Sequence, residues 1–190
     1  MTFIVIGLVF WIGVHLFPSL MPATRSRLIA RFGEMPYQGL FALLILFGLA
    51  CIVFGWRGSE ATEIYTPPEA ATAPALLLIM LGFILIVAAN FPSTRVKRWL
   101  RHPQLSGVLL WAVAHLLLNG DNRSVVVFGA LAAWTLVSMI TINRREGEWE
   151  KPEKIMPMAT EVTVPVTGVI VMLLFAWLHP YLSGISLMAN

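Results

Sequence analysis

The chain has 190 residues, of which 58% are hydrophobic and 12% are charged. A composition this apolar excludes an ordinary soluble domain of the same size and indicates that lipid is its solvent. The formal net charge is +3. Because the basic residues fall in short clusters between apolar runs, membrane topology explains them better than nucleic acid does, and no nucleic-acid partner is expected.

Six apolar stretches follow one another along the chain, each close to the roughly 20 residues that cross the hydrocarbon layer of a bilayer. They lack the alternation of barrel strands, and a spanning backbone must satisfy its own hydrogen bonds, so helices are predicted. The stretches are Thr2 to Leu20, Pro36 to Trp56, Pro74 to Phe91, Pro103 to Leu118, Ser124 to Ile142 and Val162 to Leu182. We predict an all-α, polytopic membrane helix bundle of six transmembrane helices, forming a single integral membrane domain over residues 1–190.

Lys and Arg residues are distributed unevenly among the connecting loops. Eleven of the thirteen follow the first, third or fifth stretch: Arg25, Arg27, Arg31, Arg95, Lys97, Arg98, Arg101, Arg144, Arg145, Lys151 and Lys154. Arg57 and Arg123 fall in the alternate loops. Since basic residues resist translocation, the first set predicts three cytoplasmic loops and both termini on the outer side of the membrane.

Four histidines are the strongest candidates for chemistry, because a neutral imidazole can ligate a metal or carry a proton. His15 lies near the predicted cytoplasmic end of the first helix, and His115 lies well inside the fourth. His102 lies at the interfacial entry to the fourth helix, and His179 lies near the outer end of the sixth. Polar groups inside a bilayer are costly without a partner, so His15 and His115 are predicted to have a specific role.

The fourth stretch carries Gly107, Trp111 and His115 at intervals of four residues, on one face of a helix. Such a face is suited to line a cofactor pocket. The alternative is purely structural: the glycine permits close packing, the tryptophan fills the bundle core, and the histidine bonds a hydroxyl group on a neighbouring helix.

Other chemistries find little support in the sequence. There is no His-Glu-x-x-His motif, Cys51 is the single cysteine, and the acidic residues lie between the apolar stretches, so neither a hydrolytic zinc site nor a catalytic triad is expected. Haem b held by two helix histidines is the cofactor site that this inventory can build. The cluster Arg95, Lys97, Arg98 and Arg101 has the charge to pair with haem propionates, but cytoplasmic orientation alone explains it and is the favoured reason.

The choice of ligand pair depends on depth in the membrane. At 1.5 Å per residue, His15 lies about 8 Å from Leu20, and His115 lies about 18 Å from Pro103. The offset of about 10 Å makes His102 a rival partner for His15, although helix tilt absorbs part of the difference.

The stretch from Arg101 to Asp121, RHPQLSGVLLWAVAHLLLNGD, resembles the signature of the NnrU family. Gly13-Val14-His15 and the segment from Gly33 to Phe41 add to a resemblance that covers nearly the whole chain. The resemblance implies a multi-pass protein of the bacterial inner membrane that supports nitrite and nitric oxide reductase function in denitrification. Its implied partners are the lipid bilayer and denitrification enzymes or their maturation factors.

The family is also related to the plant 15-cis-zeta-carotene isomerase, a haem b membrane enzyme. That relationship implies His15 and His115 as axial ligands of the haem iron, ahead of His102. Trp111 is assigned to the cofactor pocket because it shares a helix face with His115. Ala112 stands where the isomerases have a cysteine, which argues against a thiolate ligand. Two alternatives remain: a haem-dependent cis-trans isomerase of a lipid-soluble polyene, and an assembly or regulatory factor without a cofactor.

Overall fold

The structure is a computed structural model, and it describes residues 1–187. This part of the chain is helical, with one isolated β-bridge and no strand, as the all-α prediction requires. Its α-helices are α1 (Thr2–Leu20), α2 (Pro22–Phe32), α3 (Glu34–Arg57), α4 (Thr72–Asn90), α5 (Val96–Trp99), α6 (Pro103–Leu118), α7 (Asn122–Glu146), α8 (Met158–Glu161) and α9 (Thr163–Ser183).

Among the described residues, five helices are long and apolar enough to cross a membrane, namely α1, α3, α4, α7 and α9. These are the helices of a multi-pass membrane protein. Helix α6 is apolar but has 16 residues, which gives a length of about 24 Å against a hydrocarbon layer of about 30 Å. The predicted first and fourth stretches match α1 and α6 residue for residue, and the other four agree closely.

The segment after α1, treated as a loop in the sequence, forms the short helix α2. Pro22 occupies the first turn of α2, where the missing N–H of proline costs no hydrogen bond. Gly33 separates α2 from α3 with φ +87°, a backbone conformation that favours glycine. The basic side chains of this segment are therefore carried on a helix and not on a flexible connection.

Six helices form a ring in which each contacts two neighbours. The order around the ring is α7, α1, α3, α9, α4, α6 and back to α7. The contact between α3 and α9 includes a hydrogen bond from the Arg57 guanidinium to the Tyr181 carbonyl oxygen at 2.7 Å. Helix α7 is thus flanked by α1 and α6, and helix α9 is flanked by α3 and α4.

The main apolar core lies where α7 meets α1 and α6. Buried members from α7 are Val127, Phe128, Leu131 and Trp134. Elsewhere, large apolar side chains stay exposed along the long helices, for example Phe3, Leu43, Leu76, Val137 and Leu173. Exposure of this extent is costly in water, and in a bilayer it is covered by lipid.

Candidate cofactor site

His15 is held in one orientation by its own helix. Its Nδ1–H donates to the carbonyl oxygen of Trp11 at 2.7 Å. Because a carbonyl oxygen can only accept, Nδ1 carries the proton and Nε2 keeps a free lone pair. The ring lies against Trp11 at 4.5 Å between centroids, Trp134 of α7 at 5.1 Å and Phe41 of α3 at 5.9 Å.

His115 is held in the same way on α6. Its Nδ1–H donates to the carbonyl oxygen of Trp111 at 2.8 Å, so its Nε2 also keeps a free lone pair. The ring contacts Trp111 at 4.5 Å and stacks on Phe128 of α7 at 4.3 Å with an interplanar angle of 28°. Both imidazoles are half-buried, so neither is enclosed by the protein alone.

The two histidines belong to two copies of one packing motif. Each copy has a glycine, a tryptophan and a histidine at intervals of four residues, facing a glycine and an isoleucine of an antiparallel neighbour. The copies are Gly7, Trp11 and His15 against Gly48 and Ile52, and Gly107, Trp111 and His115 against Gly82 and Ile86. The copy on α6 was predicted from the sequence, whereas the copy on α1 was missed, although its spacing is identical.

The two copies run in opposite directions. Helix α1 is parallel to α7, since its Trp11 contacts Trp134 and its Ser19 hydroxyl accepts a hydrogen bond from Arg145. Helix α6 is antiparallel to α7, since its start bonds the end of α7 and its end contacts the start. In the packing motif, α1 corresponds to α6, and α3 corresponds to α4.

Helix α7 provides a common scale for the depth of the histidines. His115 lies at Phe128, and His15 lies six residues further along at Trp134, a rise of about 9 Å. Leu131 lies midway between these two contacts. The two imidazoles approach from opposite flanks of α7 and are not stacked on each other.

The hydrogen bonds of His102 and His179 go to partners other than the carbonyl oxygen four residues earlier. The Nε2 atom of His102 is hydrogen-bonded to Oδ1 of Asn143 at 2.8 Å, at the far end of α7. That position lies about 13 Å along α7 from Trp134. The Nδ1–H of His179 donates to the Ile185 carbonyl oxygen at 2.9 Å.

Three buried donors without a partner lie near His15. Within the described residues, four buried side-chain donors make no hydrogen bond: Trp11 Nε1, Tyr37 Oη and Trp134 Nε1, which lie near His15, and Trp56 Nε1, which packs on Phe128. Trp11 and Trp134 contact the His15 ring, and Tyr37 packs on Phe41, which contacts it too. An unpaired buried donor is costly, so the surroundings of His15 suit a bound group with acceptor oxygens, such as the carboxylates of haem.

Three of the four basic residues that the sequence suggested as partners of haem propionates bind other groups. Lys97 donates to the Phe91 carbonyl oxygen, Arg101 to the Gly147 carbonyl oxygen, and Arg95 pairs with Glu161. Arg25 of α2, which was not among the predicted site residues, lies over the Tyr37 ring at 5.7 Å. It reaches this position because the segment after α1 folds as a helix.

A family model described as NnrU protein matches residues 3–187 of the chain. The chain belongs to the NnrU family. No curated protein and no solved structure matches it. The resemblance inferred from the sequence is confirmed, and the structure gives physical reasons for several of the NnrU-like residues on which it rested.

Gly120 of the NnrU-like stretch is required by a close contact at the end of α6. A side-chain carbon there would lie 1.7 Å from the Tyr65 carbonyl oxygen. The single O–H of Tyr65 is shared between the carbonyl oxygens of Leu116 and Asn119 at the end of α6. Burial raises the pKa of Tyr65, and the Asp121 carboxylate raises it further, so the hydroxyl stays a donor.

Asp121 begins α7 as its N-cap. Its carboxylate accepts hydrogen bonds from the backbone N–H groups of Arg123 at 3.0 Å and Ser124 at 3.2 Å, and from the Ser124 hydroxyl at 2.6 Å. Burial raises the pKa of Asp121, but the hydrogen bonds from Ser124 and Arg123 together with the charge of Arg123 outweigh it, so the pKa is lowered. The turn after His115 is therefore fixed from both sides.

Proposed function

We propose that this NnrU-family chain binds haem b through His15 and His115 and supports denitrification in the bacterial inner membrane. The observation that carries the proposal is the pair of imidazoles in matching surroundings, each with Nδ1–H on a backbone carbonyl oxygen and a free Nε2 lone pair. Histidines that ligate metals commonly donate their other ring N–H to such an acceptor. The donor set therefore fits haem iron.

Each imidazole would hold one face of the haem. His15 and His115 approach α7 from opposite flanks, at Trp134 and Phe128. Trp11 and Trp111 would hold the imidazole rings, while Phe128 and Trp134 would keep water away from them. When bound, haem would supply one-electron redox chemistry, the type of chemistry that nitrite and nitric oxide reductases require.

An absorption spectrum of the detergent-purified protein tests this proposal. The wild type, expressed in haem-replete cells, should show a Soret band that His15→Ala and His115→Ala each lose. His102→Ala is the matched control and should keep it, because its imidazole bonds Asn143 at the far end of α7. A colourless wild type would overturn the proposal, and so would equal losses in all three variants.

The role in denitrification needs a test in cells. A deletion strain should show reduced nitrite and nitric oxide reductase activity in its membranes, restored by the wild-type gene and not by His115→Ala. Full activity in the deletion strain would count against this role while leaving haem binding unaffected.

The proposal includes a topology of six spans with both termini outside. The short helix α6 is counted as a span. If it did not cross, α7 would run in the opposite direction through the membrane, and its basic end would lie on the outer side. In a Cys51→Ala background, an impermeant maleimide added to intact spheroplasts should label Glu60→Cys and not Arg27→Cys. The reverse labelling would overturn the orientation.

A further inference from the structure

A cavity of about 370 Å³ lies among the basic residues that follow α4. It is lined by Arg95, Arg98, Trp99, Lys151 and Ile155. Three of these five residues are cations and none is acidic. The cavity is separate from the histidine pair, because it is built by α5 and by the segment between α7 and α8.

Two of the three cations have no acidic partner. Arg95 pairs with Glu161 at 3.3 Å. Within residues 1–187, the ion pairs include neither Arg98 nor Lys151; the Lys151 ammonium lies over the Trp149 ring at 5.0 Å. The segment that supplies Lys151 also carries Glu148, Glu150 and Glu153, and none of them lines this cavity. The cavity therefore keeps a net positive charge.

The cavity lies at the edge of the apolar layer. Val96, the first residue of α5, packs against the apolar cluster formed by Val87, Ala88 and Val164. Three residues later, Trp99 is 81% exposed. Tryptophan concentrates at the level of lipid headgroups, where its ring has an apolar body and a polar N–H. The cations of the cavity are thus at the height of lipid phosphates.

We propose that this cavity binds the phosphate group of an anionic phospholipid such as phosphatidylglycerol. Arg98 and Lys151 would bind the phosphate through charge-assisted hydrogen bonds. Trp99 and Ile155 would contact the lipid where its acyl chains begin, which a free phosphate ion cannot use. Basic pockets on the cytoplasmic side of helix bundles are known to recognise such headgroups. The leaflet follows from the orientation proposed above, and the chemistry of the cavity does not depend on haem.

Native mass spectrometry of the full chain in detergent tests the proposal, with phosphatidylglycerol and phosphatidylcholine added at equal concentration. The wild type should retain phosphatidylglycerol in preference. The double variant Arg98→Gln, Lys151→Gln should bind it on the order of tenfold more weakly, because each cation at a membrane surface contributes appreciably to lipid attraction. Arg27→Gln, Arg144→Gln is the matched control, since it removes the same charge at positions outside the cavity.

The outcomes separate the possible sources of binding. Equal retention of the two lipids, or an equal loss in the control variant, would overturn the proposal. If millimolar inorganic phosphate displaces the lipid completely, the site is a phosphate site and the lipid assignment is wrong. Trp99→Gln is a second variant that leaves every charge in place, and it should weaken lipid retention without changing the displacement by phosphate. The Soret band of the same samples reports haem separately.

Discussion

The carbonyl oxygen of Gly82 lies 2.5 Å from the position that a side-chain carbon on Gly107 would occupy. The same relationship joins Gly48 to Gly7, at 2.6 Å. In lipid there is no hydrophobic driving force between helices, so close backbone contact through small residues takes its place. These two glycine contacts hold the histidine-bearing helices α1 and α6 against their neighbours.

Alanine at either glycine should destabilise the protein. Gly7→Ala and Gly107→Ala push a methyl group into backbone, and overpacking of this kind costs about 1–3 kcal/mol. Thermal unfolding in detergent, followed by circular dichroism, measures the effect. Gly129→Ala is the control, because nothing lies within 4 Å of its added carbon. It should be neutral or stabilise α7 by up to about 1 kcal/mol. Equal effects at Gly107 and Gly129 would show that α4 and α6 are not in close contact.

Loss of the Tyr65 hydroxyl should loosen the end of α6. Tyr65→Phe leaves the carbonyl oxygens of Leu116 and Asn119 without their donor, which costs about 1 kcal/mol. A lower midpoint of thermal unfolding checks this, with Tyr181→Phe as the control at a side chain that is 65% exposed. If the two variants unfold at the same temperature, the loop that carries Tyr65 does not bind α6.

Replacing Asp121 with asparagine and with alanine should distinguish two contributions to stability, the N-cap hydrogen bonds and the negative charge of the carboxylate. Asp121→Ala loses both and should cost about 1 kcal/mol or more, whereas Asp121→Asn keeps an N-cap residue and loses only the charge beside Arg123. The folded-state pKa of Asp121 is lowered. Its carboxylate therefore contributes stability above the unfolded pKa, and that contribution is lost as pH falls through the folded pKa.

The measurement for Asp121 is unfolding in detergent as a function of pH. The advantage of the wild type over Asp121→Asn should be constant at neutral pH and shrink under strongly acidic conditions. An advantage that grows on acidification would contradict the lowered pKa.

Arg123→Lys should destabilise the end of the bundle where α3 ends and α7 begins, even though the charge is kept. The Arg123 guanidinium donates to the carbonyl oxygens of Trp56 and Ser59 at 3.3 and 3.2 Å and lies over the Trp56 ring at 4.8 Å. A lysine ammonium cannot reproduce this planar fork of donors, so a loss of about 1 kcal/mol is expected. Arg144→Lys is the control and should leave the unfolding midpoint unchanged. Identical behaviour of the two variants would mean that the contacts of Arg123 add no stability.

The sequence was sufficient to predict the apolar helices, because hydropathy depends on composition and length alone. It also predicted a specific role for His15 and His115, which the structure places in matching surroundings on α1 and α6. It could not give the order of helices around the ring, since helices that are apolar on every face carry little information about their neighbours. The position of Arg25 beside Tyr37 depends on how α2 folds back on α3, which no local pattern encodes.

The repeated motif was missed for a different reason. The repeat first apparent in the sequence lies at helix ends, where Phe17-Pro18-Ser19 is weakly echoed by Phe91-Pro92-Ser93. The stronger likeness lies inside α1 and α6, where glycine, tryptophan and histidine follow one another in the same order along the chain. Equal spacing alone therefore pairs His15 with His115, although the two helices run in opposite directions in the fold.

The order of the two helix pairs has a consequence for the history of the fold. A tandem copy of the first pair would carry the glycine, tryptophan and histidine on the first helix of the second pair. Here the second pair carries them on its last helix, α6. Duplication of a helix pair therefore does not account for the likeness between His15 and His115. Duplication of three spans does, because α1 and α6 each begin a set of three and an odd number of spans reverses the direction of the second set. The glycines that face the two motifs then lie on different members of the first set, Gly48 on its second helix and Gly82 on its third.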